Sequence, residues 1–401
     1  MKKVYIASAK RSPVGSFNGA LSTVAAPKLA AQVIKNVLAE TGVPVGELTE
    51  VICGNILPAG LGQGPARQAA MQAGIPQEVP AYSLNIACGS GMKAVMNAAA
   101  AIKAGLGEVF VAGGMENMSM APYLIPEARQ GLRMGNKEIV DHMVYDALTD
   151  AFHGYHMGVT AENVAERYGI TREAQDEFAI QSQQKAIAAQ DAGAFKNEIV
   201  PITVKGRKED VVVAEDEYIN RKTSLEKLAS LRPAFKKEGT VTAGNASGIN
   251  DGAAFMLVAS EEAVKKYGLQ PIAELVAFGQ GGVDPAVMGL GPVPAVRNAL
   301  AMGGYKLADI DLIELNEAFA AQSLGVVAEL ASEHGMEQSE IMDRTNVNGG
   351  AIALGHPVGA SGARIMVTLA HLMQAKGKTL GLASLCIGGG MGTAVILKKC
   401  N

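Results

Sequence analysis

The sequence predicts an α/β protein with two similar halves and a subdomain inserted into the first of them. Strand-like and helix-like segments alternate from the start of the chain, which is typical of a buried sheet covered by helices. The alternation stops near Met115 and resumes at Ala253, and segments in the last third of the chain repeat patterns of the first third. These observations separate two α/β halves from an insertion between them.

The N-terminal half is predicted over residues 1–115. The apolar stretch before Lys10 and Arg11 is too short for the core of a signal peptide, so we interpret it as a first strand. Strand-like and helix-like segments then follow one another: "KVYIAS", "APKLAAQVIKNVLAETG", "EVICGNIL", "GPARQAAMQAG", "AYSLNIA", "CGSGMKAVMNAAAAIKAG" and "EVFVAGG".

Residues 116–248 are more charged, and we predict that they form an inserted loop domain. This region contains the helix-like segment "TREAQDEFAIQSQQKAIAAQDAG" and two strand-like runs, "EIVPITV" and "DVVVAED". The N-terminal half then closes over residues 249–268 with the strand "AAFMLVAS". Ser260 at its end is a suitable helix cap ahead of Glu261 and Glu262, and residues 269–401 form the C-terminal half.

Two pairs of segments indicate that the halves are duplicates. "ELTEVICGNILPA" is echoed by "DIDLIELNEAFA", and "IACGSGMKAVMNAAAAIKAGLGEVFVAGG" is echoed by "HPVGASGARIMVTLAHLMQAKGKTLGLASLCIGGG". Related halves of this kind pack beside one another, which would bring equivalent helix starts together.

The composition favours small-molecule chemistry in a reducing compartment. The net charge of −4 and the isoelectric point near 5.9 give no reason to expect nucleic acid or an anionic membrane as a partner. The 4 cysteines form no C-x-x-C pair, so the sequence predicts neither a disulfide framework nor a metal site. No apolar run approaches the roughly 20 residues of a membrane span. We therefore expect a cytoplasmic protein.

Cys88 is the first candidate for chemistry, because it lies where a predicted strand ends and a helix begins. Unpaired N–H groups and the helix dipole at such a place stabilise a thiolate. Most free cysteines are instead small apolar core residues, and Cys53 fits that description. A second alternative is a dinucleotide-binding loop, since Gly89 to Ala94 match G-x-G-x-x-A. That match falls on the third strand of the half rather than the first, which weakens it.

A thiolate nucleophile requires a base, and two residues are suited to this role. His356 lies in a glycine-rich turn before a helix, the place that Cys88 takes in the first half. Cys386 ends a strand within "LCIGGGMG", where we expect an exposed thiol beside free backbone N–H groups. It could act as a second acid or base.

Four blocks, taken together and in this order, resemble the thiolase family: "NIACGSG", "NEAF", "GHPVGASG" and "CIGGGMG". The stretches "TDAFHGYHMG", "LRPAF" and "TVTAGNASGINDGAA" are similar to the inserted loop domain of that family. The resemblance covers essentially the whole chain. It implies a fold of alternating layers, α-β-α-β-α, built from duplicated halves.

The resemblance also implies a role for each block. Cys88 would carry the acyl group, His356 would take the thiol proton and return it to the departing coenzyme A, and Cys386 would remove an α-proton from the second substrate. Asn316 would hold a water at the enolate oxygen. The backbone N–H groups of Cys88 and Gly388 would bind the oxyanion.

The inserted domain is expected to bind coenzyme A, with one set of residues along the pantetheine channel: His156, Met157, Ala243, Ser247, Ala318 and Phe319. Arg221 is the candidate for a phosphate contact, although Asn220 occupies the place where the family pattern leads us to expect the arginine.

The expected function is reversible condensation of two acetyl-CoA molecules to acetoacetyl-CoA, with no cofactor besides coenzyme A as substrate and product. The alternative is a broader-range 3-ketoacyl-CoA thiolase of fatty-acid degradation. A non-catalytic lipid carrier would lack one of Cys88, His356 and Cys386, and all three are present. A homotetramer is expected from the resemblance. The segment at 331–343 is longer than we expect and is predicted to extend a surface helix or loop.

Overall fold

The computed structural model describes residues 2–400 of the 401-residue chain. The N-terminal half begins with strands and helices in alternation, as the apolar periodicity predicts: β1 (Val4–Arg11), β2 (Gly15–Ser16), α1 (Ala26–Thr41), β3 (Glu50–Gly54), α2 (Pro65–Gln72), β4 (Ala81–Leu84), α3 (Ser90–Lys103) and β5 (Val109–Asn117).

The inserted region contains the long predicted helix and the two predicted strand runs, together with shorter elements: β6 (Tyr123–Leu124), β7 (Val140–Asp141), α4 (Met157–Tyr168), α5 (Arg172–Asp191), β8 (Ile202–Val204), β9 (Val211–Val213) and α6 (Leu225–Ala229). Its remaining chain is loop with short 3-10 helices at Met118–Met120 and Pro126–Gln130 and a π-helical turn at Val144–Leu148. This region therefore adds helices and hairpins to the molecule without adding a strand to the main sheet.

The last part of the chain returns to alternating strands and helices: β10 (Asn250–Ser260), α7 (Glu261–Tyr267), β11 (Ala273–Gly282), α8 (Pro292–Gly303), β12 (Leu312–Leu315), α9 (Ala320–His334), α10 (Gln338–Met342), α11 (Ala351–Leu354), α12 (Val358–Lys376), β13 (Leu380–Ile387) and β14 (Met391–Lys399). Ser260 caps α7 as predicted, because its hydroxyl accepts a hydrogen bond of 3.0 Å from the N–H of Ala263.

The main sheet has the strand order β4-β3-β5-β10-β1 in the N-terminal half and β12-β13-β14-β11 in the C-terminal half. β3 is parallel to β4 and β5, and β12 is parallel to β13, whereas β10, β1, β14 and β11 pair antiparallel. The two halves meet where Tyr5 and Ile6 of β1 pair with Glu274 and Ala273 of β11.

The two halves have the same topology, which confirms the predicted duplication. The last pair of the β3–β5 ladder is Gly54 with Gly114, and the last pair of the β12–β13 ladder is Leu315 with Ser384. Beside β12, an isolated parallel bridge at Thr345 occupies the place that β4 takes beside β3. α3 therefore corresponds to α12, β5 to β13, β10 to β14 and β1 to β11.

Three large hydrophobic clusters define five layers. α1 and α2 cover the outer face of the N-terminal sheet, α8 and α9 cover the outer face of the C-terminal sheet, and α3 and α12 lie between the two. α12 is buried at fifteen of its 19 residues, from Val358 to Met373, because it faces a sheet or a helix on every side. This is the expected α-β-α-β-α arrangement.

The inserted region is fixed to the N-terminal half by a buried ion-pair network. The Arg11 guanidinium on β1 donates to both carboxylate oxygens of Asp216, at 2.7 and 2.8 Å, and to Glu198 at 2.6 Å. All three side chains are almost completely buried, so removal of one partner would leave an uncompensated charge in the interior.

The segment at 331–343 forms the end of α9, a left-handed turn at Gly335 and the short helix α10. Ile341 is buried against the outer face of the C-terminal half, so the segment lies on the surface and one of its side chains enters the core. Among residues 2–400, no helix combines the length and the apolar character needed to cross a bilayer.

Candidate active site

A cavity of about 480 Å³ lies where the N-terminal half, the C-terminal half and the inserted region meet. Four predicted catalytic residues, Cys88, His356, Cys386 and Gly388, line one part of it. All six predicted pantetheine-channel residues line the rest: His156, Met157, Ala243, Ser247, Ala318 and Phe319. The structure thus brings together predicted residues that are 300 positions apart in sequence, since Cys88 and Gly388 share this cavity.

Cys88 lies in a tight connection between β4 and α3. Ala87 has a φ of 41°, a left-handed conformation that is unusual for a residue with a side chain. At Gly89 an added Cβ would collide with Ile387 of the opposite half. The sharp turn and the missing side chain place the Cys88 thiol at the first turn of α3, directly against the end of β13.

Burial determines the protonation state of Cys88. It raises the pKa of the thiol to about 11, although hydrogen bonds from the N–H groups of Gly388 and of Cys88 itself act in the opposite direction. The carboxylate of Glu116 raises this pKa further. Desolvation therefore outweighs the N–H groups at the helix start, which favour the thiolate. At neutral pH the group is a thiol that needs a base.

His356 precedes α12 and is held as a neutral base. Its backbone N–H donates to Oδ1 of Asn250 at 2.9 Å, and its Nδ1 lies 2.6 Å from Oγ of Ser361. The Ser361 hydroxyl donates to the carbonyl of Pro357 at 2.9 Å, so it accepts the proton of Nδ1. Nε2 of His356 is then left with a free lone pair.

The pKa of His356 is lowered to about 3, first by burial and then by the positive charge of Arg364. The imidazole therefore stays neutral at physiological pH, which is the form that can accept a proton. The thiol of Cys88 and the imidazole of His356 are thus both neutral at rest, and both line the cavity.

Cys386 lies near the end of β13 and is 2% exposed. We expected an exposed thiol, but the following turn through Gly389 and Gly390, both with positive φ, folds back over the strand end. Burial, and after it the neighbouring Cys88, raise the pKa of Cys386 above its ordinary value. Its thiol reaches only the cavity, and the Cys386 thiolate would be a strong base.

Asn316 follows β12 and is completely buried. Its backbone N–H donates to the carbonyl of Ser384 at 3.0 Å, whereas neither side-chain atom has a hydrogen-bond partner among the described residues. An amide without partners in the interior is costly unless a water or a ligand satisfies it. Asn316 does not line the cavity itself, but Ala318 and Phe319 beyond it do.

The channel end of the cavity is built by two segments that pair with each other. Ala246 forms a bridge with Phe319, and the N–H of Ser247 donates to the carbonyl of Ala318 at 2.9 Å. The His156 ring caps α4 through Nδ1, which accepts from the N–H of Gly158 at 3.0 Å, and burial lowers its pKa. The loop of the inserted domain and the "NEAF" segment therefore form one wall.

Met157 closes the opposite end. It is 7% exposed, and its Sδ would lie 3.6 Å from a Cβ added at Gly388. A thioether in van der Waals contact with that Cβ position leaves little space beyond Gly388.

Arg221 does not line the cavity. Its guanidinium is exposed and forms an ion pair of 2.6 Å with Asp191 and a hydrogen bond of 2.8 Å with Gln190. Asp191 raises the pKa of Arg221 above its ordinary value.

Sequence reasoning did not identify several apolar residues of the cavity: Met118, Leu148, Tyr218, Phe235 and Met288. Phe235 stacks on the His156 ring at 4.6 Å and meets Phe319 edge to face at 6.1 Å. These residues carry no chemistry that a sequence pattern reveals. The one available signal was "LRPAF", which resembles the family and contains Phe235.

Comparison with known proteins gives a consistent result. The family model described as "Thiolase, N-terminal domain" matches residues 4–262, and "Thiolase, C-terminal domain" matches residues 269–399. The chain is 54% identical to an acetyl-CoA acetyltransferase of Chromobacterium violaceum, over 99% of this chain and 100% of the relative. It is also 54% identical to an acetyl-CoA acetyltransferase of Escherichia coli K12, over 100% of both chains.

Solved structures agree with this comparison. The acetyl-CoA acetyltransferase of Bacillus anthracis matches with a TM-score of 0.95 and 45% identity, covering 100% of this chain and 99% of that one. The enzyme of the same name from Syntrophomonas wolfei matches with a TM-score of 0.97 and 42% identity, covering 100% of both.

Proposed function

The chain belongs to the thiolase family, and from that premise we propose that it is an acetyl-CoA acetyltransferase that condenses two acetyl-CoA molecules reversibly to acetoacetyl-CoA and coenzyme A. The observation that supports this most is the meeting of Cys88, His356 and Cys386 in one cavity, which Gly388 also lines. Its close relatives over the full length carry the acetyltransferase name.

In the first half-reaction, the Cys88 sulfur attacks the thioester carbonyl while Nε2 of His356 takes the thiol proton. The N–H groups of Cys88 and Gly388 would stabilise the oxyanion that forms on the thioester carbonyl. The bond to the coenzyme A sulfur then breaks, and His356 returns its proton to that sulfur. The product is an acetyl thioester on Cys88 and free coenzyme A.

In the second half-reaction, Cys386 passes its thiol proton to the neutral His356 and then, as a thiolate, takes an α-proton from a second acetyl-CoA. The resulting carbanion attacks the acetyl group on Cys88, the bond between that acetyl carbon and the Cys88 sulfur breaks, and His356 returns its proton to the sulfur. The raised pKa of Cys386 suits this step, because a carbon acid requires a strong base. In the cleavage direction the resting thiol of Cys386 already holds the proton that the departing carbanion needs. Asn316 would hold a water that supports the enolate oxygen together with His356.

Coenzyme A would lie along the apolar channel between the inserted domain and "NEAF", with its pantetheine arm beside His156, Phe235, Ser247 and Phe319. Arg221 would meet a phosphate only by exchanging Asp191 for it, and surface ion pairs of this kind are weak enough to exchange. Arg221→Ala should then raise the KM for coenzyme A severalfold and leave kcat unchanged.

We also propose a cytoplasmic homotetramer. β4 is the last strand of the main sheet, and its outer edge pairs with no other strand among residues 2–400. The inserted hairpin around β6 and β7 exposes large apolar side chains, among them Tyr123, Leu132, Met134 and Ile139. Free edges and apolar patches of this kind are usually covered by another chain.

The function is tested by incubating the purified protein with acetyl-CoA and measuring free coenzyme A and acetoacetyl-CoA, with mass spectrometry of the quenched protein. We expect both products and an acetyl adduct on Cys88. The proposal fails if no acetoacetyl-CoA forms, or if the adduct lies on Cys386 instead.

A further inference from the structure

Glu116, at the end of β5, is a completely buried carboxylate that the proposed mechanism does not use. It accepts four hydrogen bonds. Oε1 accepts from Nδ2 of Asn55 at 2.7 Å and from the N–H of Leu57 at 3.1 Å, and Oε2 accepts from the N–H of Ile56 at 2.9 Å and of Gly359 at 3.1 Å. The first three donors belong to the N-terminal half, whereas Gly359 belongs to α12 of the other half.

The bond to Gly359 connects Glu116 to the catalytic base. Gly359 is the second residue of α12, where the helix has no internal acceptor for its N–H, and it lies three residues after His356. A Cβ at Gly359 would collide with Oε2 of Glu116, so only glycine allows this approach. The carboxylate therefore contacts the first turn of the helix that carries His356, and a negative group is favourable there.

The duplicated topology allows the position of Glu116 to be compared with the equivalent position in the C-terminal half. Asn55 and Asn316 each follow the last ladder residue of their strand, and Glu116 and Cys386 each lie two residues beyond theirs. Glu116 thus occupies in the N-terminal half the place that the proposed base Cys386 occupies in the C-terminal half. It differs in being saturated with hydrogen bonds and absent from the cavity wall.

We propose that Glu116 is a positioning residue, which fixes the His356 end of α12 relative to the Cys88 end of α3 through its hydrogen bond to Gly359. Glu116 and α3 belong to the same half, so the four hydrogen bonds fix the position of His356 relative to Cys88. Loss of the carboxylate would leave the cavity wall intact and let the imidazole move away from the thiol. A displacement of about 1 Å is sufficient to cost roughly 10²-fold in rate.

The inference rests on the proposed function, because its test uses acetylation of Cys88 by acetyl-CoA. The rate is measured by rapid quench in the wild type, Glu116→Gln, His356→Asn and the double variant, over a range of acetyl-CoA concentrations. Absence of acetylation in the wild type would refute the proposed function. The variants are interpreted only against a wild type that is acetylated.

We expect Glu116→Gln to slow acetylation about 10²-fold at saturating acetyl-CoA, with half-saturation within about threefold of the wild type. In the His356→Asn background the same change should add no further loss, because Glu116 acts through that imidazole. A wild-type rate in Glu116→Gln would overturn the inference. The inference would also be overturned if Glu116→Gln slowed acetylation as much in the His356→Asn background as in the wild type. Glu116 would then act on the whole structure or on Cys88.

Glu162→Gln is the matched control, because Glu162 is also a buried glutamate that accepts several hydrogen bonds, from Thr240 and Val241, but it touches neither α3 nor α12. Its maximal acetylation rate should stay within about threefold of the wild type. If Glu116→Gln does not fold, Asn55→Ala replaces it. This variant removes one donor to the carboxylate and should cost about tenfold, again only when His356 is present.

Discussion

At the scale of single residues, burial rather than the helix dipole decides which groups carry protons. The same desolvation that keeps the Cys88 thiol protonated, with its pKa near 11, lowers the pKa of His356 to about 3. Neither group is reactive alone at neutral pH. Proton transfer from one to the other has to accompany substrate binding, which protects the site from adventitious electrophiles while it is empty.

The two cysteines should separate the half-reactions. Cys386→Ala leaves the Cys88 thiol, His356 and the oxyanion N–H groups in place, so acetylation of Cys88 should continue at a similar rate. Acetoacetyl-CoA formation should fall by roughly 10²–10⁴-fold or more, because water is too weak a base to take a proton from a carbon acid of high pKa. Asn316→Ala should reduce acetoacetyl-CoA formation less than Cys386→Ala does. Rapid-quench acetylation and product formation are measured under the same conditions, and survival of both steps in Cys386→Ala would contradict its role as base.

The low pKa of His356 predicts an acid-sensitive fold. Between pH 6.5 and 3 the unfolded chain binds a proton at this residue that the folded protein excludes, so the free energy of unfolding falls with pH. The contribution is fully present above about pH 6.5, and at pH 5 about 2 kcal/mol of it is lost. Burial raises the pKa of Glu116 and Glu314 instead, so those carboxyls add stability as pH falls.

His356→Asn isolates this contribution, because Glu116 and Glu314 remain in both proteins. In chemical denaturation the variant should lose about 2 kcal/mol less than the wild type between pH 7.5 and pH 5. A difference between the two proteins that does not change with pH would contradict a buried neutral imidazole.

Met157 predicts the chain length that the cavity accepts. As a bulky thioether beside Gly388, it leaves room for an acetyl group, so acetoacetyl-CoA should be cleaved with a much higher kcat/KM than 3-ketooctanoyl-CoA. Met157→Ala should reduce the ratio of the two kcat/KM values by roughly 10–200-fold, the usual discrimination from one methylene group in an apolar pocket. Equal kcat/KM for the two substrates in the wild type would identify a broad-range 3-ketoacyl-CoA thiolase.

At the scale of secondary-structure elements, the close crossing of α3 and α12 holds the two catalytic starts together. A Cβ on Gly91 of α3 would lie 2.9 Å from the carbonyl of Gly359 and 3.0 Å from the N–H nitrogen of Ala363 on α12. Gly91→Ala should therefore separate the helices and lower the free energy of unfolding by about 1–3 kcal/mol. It should also reduce kcat, because the helix starts carry Cys88 and His356.

Gly46→Ala is the control for that substitution, since nothing lies within 4 Å of its added Cβ and its φ is not in the left-handed region. We expect a change within about 0.5 kcal/mol. Denaturant midpoints and steady-state kcat of the two variants are compared. If Gly91→Ala were as stable as Gly46→Ala, the close contact between α3 and α12 would not contribute to the free energy of unfolding.

The elements also show how far the sequence predicts this site. Cys88, His356 and Cys386 were identifiable because each lies at a strand end or a helix start, which are local patterns. Glu116 was not, since its partners lie 60 and 243 residues away in sequence and only the fold brings them together. The sequence could not predict the protonation states of Cys88 and His356 either, because burial depends on the whole structure. Arg221 lies on the surface beside Asp191 and outside the cavity, so its contact with a phosphate stays a prediction.

At the scale of the whole molecule, the apolar hairpin predicts the assembly. We expect the wild type to have four times the mass of the 41.5 kDa chain in light scattering. A glutamate at Met134, which is 100% exposed in the single chain, should reduce that mass, because burying an unpaired carboxylate in an interface is costly. Leu106→Glu is the control, being exposed but distant in sequence from the hairpin. An unchanged mass for Met134→Glu would exclude the hairpin from the interface.

The placement of α3 and α12 between the two sheets has a consequence for how the molecule opens. Each of these helices buries apolar residues against both halves, so neither half can detach without exposing the middle layer. Their backbone amides should therefore exchange hydrogen for deuterium last, together and at the rate of global unfolding. The edge elements β6, β7 and α6 should exchange orders of magnitude sooner, since they pack on one side only. The starts of α3 and α12, beside Cys88 and His356, would then separate only when the entire chain unfolds.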